Sequence, residues 1–194
     1  MCTFAPQTPL IMEKLQVKDK SFVVSIPEAE IQRQVRRVAA EITRDMEGKH
    51  PLFLPVLNGS FIFAADLLWE VPIPCEVSFI KLASYQGTQS SGEIREVIGL
   101  NADITGRHVI IVEDIIDSGL TMAHMIETLQ THNPATISVC SLLVKPESMK
   151  VEVPIHYKCM EIPSDFIVGY GLDYDGDGRN TRDIYTLVKD PELF

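Results

Sequence analysis

The chain has 194 residues, a length that suits one domain with a sizeable core, and its 45% hydrophobic and 23% charged content is ordinary for a folded protein in water. A formal charge of −10 argues against a nucleic-acid surface, and four scattered cysteines without a Cys-x-x-Cys pair argue for a reduced, cytoplasmic protein. No apolar run approaches the roughly 18 residues of a membrane span, and the N-terminus lacks a charged-then-apolar signal pattern.

Residues 1–20 are mixed and proline-containing, an arm or a short strand. Ser25-Ile-Pro-Glu28 predicts a capping box with proline in the first helical turn. Ile31, Val35, Val38, Ile42 and Met46 then recur at helical spacing to about Glu47, and Gly48 supplies a stop. Arg33, Arg36, Arg37 and Arg44 fall on the solvated or partner-facing side of this helix. Leu52 to Leu57 reads as a strand despite Pro55, Phe61 to Trp69 as a helix, and Val77 to Ala83 as a strand. Ser84 to Glu93 is polar and glycine-interrupted, a long loop or hairpin tip. A strand over Val109–Val112, a helix from about Gly119 to Thr131, and strands at Ile137–Val144, Phe166–Tyr170 and Ile184–Val188 complete the pattern. Strands alternating with helices predict an α/β fold, a mostly parallel central sheet with helices on both faces.

Chemistry concentrates where these strands end. Val109-Ile-Ile-Val112 is an unbroken apolar run, as in a strand covered on both faces, and it leads into Glu113-Asp114 and then Asp117-Ser118-Gly119-Leu120-Thr121. The second group offers a glycine-permitted turn and successive backbone N–H groups at a helix start, a site for phosphate. Carboxylate against phosphate would repel by roughly 4 kcal/mol at about 4 Å and an effective dielectric near 20. The conflict is resolved if Glu113 and Asp114 face hydroxyls or a divalent cation, so the ligand that fits is a sugar phosphate with magnesium. Leu57-Asn58-Gly59-Ser60 forms a second strand-to-helix turn on the same edge, and Lys145 follows the strand ending at Val144. Asp173, Asp175, Asp177 and Gly178 mimic the first half of a calcium loop. The bidentate position there is Ile184 and no helix precedes it, so calcium is rejected.

The stretch Val109–Met122 closely resembles the phosphoribosyl-pyrophosphate signature of the type I phosphoribosyltransferases. From about Pro51 to Val188 the chain is similar to the hypoxanthine-guanine phosphoribosyltransferases within that family, three further segments matching in order and spacing. The resemblance implies one domain over 1–194, with a core at about 25–165 and a small hood from about 1–20 and 166–194. It implies magnesium-dependent transfer of ribose 5-phosphate from phosphoribosyl pyrophosphate to N9 of a 6-oxopurine. Asp117 to Thr121 would grip the 5′-phosphate, Glu113 and Asp114 the ribose hydroxyls, and Asp117 would act as general base at N7. Asn58, Gly59 and Arg179 would meet the pyrophosphate, through a turn that often has a cis peptide, here Leu57–Asn58. Well-known members carry lysine and glycine where this chain has Asn58 and Ser60. Ser84 and Tyr85 would form a lid that excludes water. Lys145, which only donates hydrogen bonds, would select the 6-oxo group. Phe166 would stack on the purine, the Ile167 backbone would read its edge, and Asp173 would hold magnesium beside the base, with Glu113 and Asp114 as further candidate ligands. The same likeness implies a homodimer or homotetramer, while the acidic balance and the lack of a long apolar run speak against nucleic-acid and membrane partners. Competing readings are a xanthine-preferring relative and a regulatory RNA-binding relative of the fold.

Overall fold

The computed structural model describes residues 14–84, 94–100 and 102–189, with the side chains of 82–84 and 94–98 left aside. The loop expected between Ser84 and Glu93 therefore lies outside the described residues, apart from the backbone of Ser84. In chain order the elements are β1 (Lys14–Val17), β2 (Lys20–Ile26), α1 (Glu28–Met46), β3 (Leu52–Leu57), α2 (Phe61–Trp69), β4 (Glu76–Val77), β5 (Ile80–Ser84) and β6 (Ile94–Ile98). They continue as β7 (His108–Ile116), α3 (Leu120–Gln130), β8 (Thr136–Val144), a 3-10 turn at Pro146–Ser148, β9 (Tyr157–Glu161), β10 (Ile167–Val168) and β11 (Ile184–Leu187).

The central sheet has seven strands in the order β6-β5-β3-β7-β8-β9, with β4 also on β3. All its pairings are parallel except β5 with the edge strand β6. The unbroken apolar runs of β3, β7 and β8 are explained by cover on both faces. Ile110 and Val112 join the core under α1 and α2, while Val109 and Ile111 join the core under α3. Helix α1 buries Ile31, Val35, Val38, Ala39, Ile42 and Met46, its predicted stripe. Each large side chain of that set contributes about 1.5–3 kcal/mol by leaving water. Its arginines sit on the outer side, pairing with Glu30, Glu41 and Asp45.

A second sheet, antiparallel and ordered β1-β2-β11-β10, joins the first described strands to the last. Val17, Phe22, Val168 and Tyr185 form its own small core.

Several expectations need correction. The capping box does not form: α1 starts after Pro27 without a side-chain cap, and Ser25 Oγ instead donates to the Ile184 carbonyl. The Glu28 amide is capped by Asp183 Oδ1 at 2.7 Å, a group 155 residues away on the second sheet's side. The strand expected at Val77–Ala83 is two pieces, β4 and β5, with Ser78 and Phe79 between them. Opposite that break sits Pro55, which has no N–H to offer a neighbouring strand. The strand expected at Phe166–Tyr170 shrinks to Ile167–Val168 because Gly169, Tyr170 and Gly171 all take positive φ, at +102°, +48° and +101°. Strand β7 runs four residues past Val112, so Glu113 and Asp114 lie within a strand.

Candidate active site

The carboxyl ends of β3, β7 and β8 and the first residues after β10 converge on one edge of the molecule. At the end of β7, Ser118 O accepts the amides of Lys150 and Val151, at 3.0 and 3.2 Å, which fixes the turn from behind. Gly119 has φ +78°, and a Cβ there would stand 2.4 Å from the Val151 carbonyl oxygen, so this position requires glycine. The chain then enters α3, whose first amides point back at the turn. A pocket of about 150 Å³ lies against it, lined by Glu113, Ile115, Ile116, Asp117, Ser118, Gly119, Thr121 and Met122.

Regular alternation breaks at the two adjacent carboxylates: Ile115 packs with Ile110 and Val112, Ile116 packs with Val109 and Ile111, and the side chains of Glu113 and Asp114 are hydrogen-bonded to each other. Glu113 lines the pocket beside the turn, and its Oε2 is buried without a hydrogen-bond partner. Burial, reinforced by the neighbouring Asp114 charge, pushes the Glu113 carboxyl well above the ordinary glutamate range. Asp114 is also pushed up by burial, offset by hydrogen bonding to Glu113 and the Ile115 amide and by the Arg179 charge. Because the folded protein holds the Glu113 proton more tightly than the unfolded chain, the associated stability is present at low pH. It is lost as pH rises from the unfolded glutamate value toward the folded one. Glu113→Gln should therefore melt like the parent near pH 4 and above it near pH 8, read by thermal denaturation without ligands. Equal shifts at both pH values would remove the buried charge as the cause.

Asp114 meets the second turn. The Leu57–Asn58 peptide is cis, as the resemblance implied, and Gly59 follows directly beneath the Asp114 carboxylate. Ser60 is fully buried and donates to the Val56 carbonyl at 2.6 Å, so its hydroxyl closes the turn onto β3. From the far side, Gly171 packs on Gly59: a Cβ at Gly171 would stand 2.1 Å from the Gly59 carbonyl oxygen.

Arg179 binds Asp173 Oδ1 at 2.7 Å and the Gly171 carbonyl at 2.6 Å, and Asp173 Oδ2 accepts the Gly176 amide. The false calcium loop is a tight hairpin with Tyr174 bridged to Asp177, and Asp175 and Asp177 are paired with Lys18. Among the described residues no group of three His, Cys, Asp or Glu side chains could hold a metal unaided.

Lys145 is buried and its amide donates to Ile116 O, which ties the end of β8 to the end of β7. Its Nζ comes within 3.6 Å of Asp117 Oδ2, so the candidate base-selecting lysine and the candidate general base share one point. Phe166 is 41% exposed, with Tyr174 edge-on at 5.6 Å and Phe22 tilted against it at 6.1 Å. Ile167 is buried behind it. Of the two lid candidates, Ser84 ends β5 and Tyr85 lies outside the described residues. Sequence reasoning missed Tyr170, Gly171 and Asp66, which brace the second turn. The alternating glycines of Gly169-Tyr170-Gly171 were the available signal.

Residues 27–175 match the phosphoribosyl transferase domain family. The chain is 42% identical over 171 residues to a hypoxanthine-guanine phosphoribosyltransferase of Mycobacterium avium, covering 86% of this chain and 81% of that one. It is similar in fold to a hypoxanthine-guanine phosphoribosyltransferase of Bacillus anthracis, with TM-score 0.80 and 38% identity over 86% of this chain and 96% of that one. A hypoxanthine phosphoribosyltransferase of Trypanosoma cruzi, solved with the product IMP, gives TM-score 0.79 and 36% identity over 97% and 100% of the two chains. No helix among the described residues is long and apolar enough to cross a membrane.

Proposed function

The chain belongs to the phosphoribosyl transferase domain family and, within it, to the hypoxanthine-guanine phosphoribosyltransferases, and from this premise we infer that it salvages purines by joining a 5-phosphoribosyl group to N9 of hypoxanthine or guanine. The observation that carries the reading is the meeting of Lys145 and Asp117 at 3.6 Å beside the turn at Ser118–Gly119. A hydrogen-bond donor for an exocyclic oxygen, a proton acceptor and an anion site stand together at one strand edge.

In the reaction, the anomeric C–O bond of phosphoribosyl pyrophosphate breaks and the pyrophosphate departs with the bonding electrons. A new C–N9 bond forms with the purine, and the N7 proton passes to Asp117. The turn from Asp117 to Thr121 takes the 5′-phosphate on its amides. Asp114 and Glu113 bind the ribose hydroxyls and stabilise positive charge developing on the sugar. Asn58, Gly59 and Arg179 receive the pyrophosphate; Arg179 must leave part of its contact with Asp173 to do so, and its planar fork suits phosphate oxygens. Phe166 stacks on the base, the Ile167 backbone reads its edge, and Ser84 with Tyr85 closes over the reacting centre.

The donor set at this edge is made of carboxylates alone, which fits a hard cation such as magnesium. The buried, unpartnered Glu113 Oε2 is consistent with a missing cationic partner. Asp173, with Glu113 and Asp114, would hold the ion, sharing it with substrate oxygens since no three side chains among the described residues form a cage. When bound, magnesium would neutralise charge on the departing pyrophosphate.

Free thiols at Cys75, Cys140 and Cys159 support a cytoplasmic setting. Phe61 and Trp69 on α2, with Val77 and Phe79 at the β4–β5 break, are large apolar side chains left exposed, which supports a homodimer or homotetramer.

The test is a panel of hypoxanthine, guanine, xanthine and adenine, each with phosphoribosyl pyrophosphate and magnesium. Nucleotide should form from the first two and not from adenine, whose 6-amino group offers Lys145 another donor. Lys145→Ala should lower kcat/KM for hypoxanthine by about 10–100-fold, the worth of a charge-assisted hydrogen bond. No product from either 6-oxopurine would sink the reading.

A further inference from the structure

Asp66 and Tyr170 lie 104 residues apart, and nothing in the reaction as described above uses them. Tyr170 is 2% exposed and stands at φ +48°, a left-handed conformation that tyrosine adopts at a cost. Its amide donates to Thr181 O, and its hydroxyl donates to Asp66 Oδ2 at 2.6 Å. The same oxygen accepts Gln32 Nε2 from α1. Asp66 sits in α2, the helix that grows directly out of the Asn58–Ser60 turn. The next residue, Gly171, is the one that packs on the Gly59 carbonyl. Its own amide donates to Arg179 O at 3.0 Å, and its carbonyl accepts Arg179 Nη1 at 2.6 Å. One backbone position thus touches both groups assigned to the pyrophosphate, the Gly59 turn and Arg179. The hydroxyl of its neighbour is pinned to the helix behind that turn.

We propose that Tyr170 is a positioning residue for pyrophosphate: its hydroxyl bond to Asp66 holds Gly171 between the Gly59 turn and Arg179, setting the spacing of the two groups that receive the leaving group. The inference rests on the phosphoribosyl-transfer reading and deepens it. Lys145, just after β8, and the 5′-phosphate turn, just after β7, are outside this linkage. Loosening it should therefore weaken pyrophosphate recognition selectively.

Tyr170→Phe keeps the ring in the core and removes only the hydroxyl, and Asp66→Ala removes the acceptor from the other side. The inhibition constant for inorganic pyrophosphate, its affinity by calorimetry, and KM for both substrates would be measured with each variant and with the pair combined. For Tyr170→Phe, KM for phosphoribosyl pyrophosphate and the pyrophosphate constants should rise about tenfold, with KM for hypoxanthine within about twofold of the parent. On these constants the double variant should fall short of the sum of the two single effects, since both changes break the Tyr170–Asp66 bond and only Asp66→Ala also releases Gln32. The inference is overturned if the pyrophosphate constants stay at parental values. It is equally overturned if both KM values rise together with a drop in melting temperature, which is the mark of general loosening. A parent that binds neither phosphoribosyl pyrophosphate nor pyrophosphate would instead refute the functional reading itself.

Discussion

Replacing Asp117 with asparagine should lower kcat by about 10²–10⁴-fold, the usual contribution of a positioned general base. The amide keeps the shape of the side chain and an oxygen facing Lys145 Nζ, 3.6 Å away in the parent, so the fold and the phosphate turn should persist. What is lost is the ability to take the N7 proton as the new bond forms. Affinity for phosphoribosyl pyrophosphate should stay measurable by calorimetry, because the turn's amides and Gly119 are untouched. A second signature follows from the ion pair. With the carboxylate gone, Lys145 is a buried cation with no other charge partner among the described ion pairs, and its net grip on the 6-oxo group changes. Affinity for the base should shift along with kcat, whereas affinity for the sugar phosphate should not. A parental kcat for Asp117→Asn would take Asp117 out of the chemistry.

Gly59→Ala should be nearly as damaging, for a steric reason. A Cβ at residue 59 would lie 1.6 Å from Asp114 Oδ2 and 2.4 Å from its Cγ, so either the carboxylate or the turn must move. Moving the carboxylate breaks its bond from the Ile115 amide, 2.9 Å in the parent, and moving the turn disrupts the Gly171 contact. Overpacking of this kind costs about 1–3 kcal/mol of stability. Because the two colliding groups are those assigned to pyrophosphate and ribose, KM for phosphoribosyl pyrophosphate should rise by about a hundredfold or more, the scale on which a misplaced site group is felt. Adding Asp114→Ala to Gly59→Ala should recover melting temperature without recovering turnover. Failure to recover would place the strain elsewhere in the turn.

The parts legible in the sequence are those whose signals are local. The stripe Ile31-Val35-Val38-Ile42 fixes which face of α1 is buried, and the apolar runs of β3, β7 and β8 mark strands covered on both sides. The glycine-permitted turn at Asp117–Thr121 was read from its residues, and Gly119 takes a positive φ there. The parts that were not legible depend on distant partners. Strand β9, Tyr-Lys-Cys-Met-Glu, is a short edge with charged residues whose pairing comes only from β8. The β1–β2 hairpin turns through Lys18 at φ +51° without glycine or asparagine, and Lys18 is held there by Asp175 from the other end of the chain. The cap of α1 is Asp183, which no Ser-x-x-Glu pattern could reveal. In the site, the same holds for Asp66 with Tyr170. The mutual hydrogen bond of Glu113 and Asp114 was hidden by taking the strand to end at Val112, where polarity begins, although hydrogen bonding carries it on to Ile116.

The second sheet joins the first described strands to the last ones, and Phe166, Ile167 and Asp173 belong to that closing segment, while the sugar-phosphate turn lies in the middle of the chain. During synthesis the turn assigned to the sugar phosphate, together with Lys145, is therefore made before Phe166 and Ile167 have left the ribosome. The same division is available to natural selection. Changes confined to the segment around Phe166 and Ile167 can alter the surface on which the base stacks, and leave the turn at Asp117–Thr121 and Lys145 as they were.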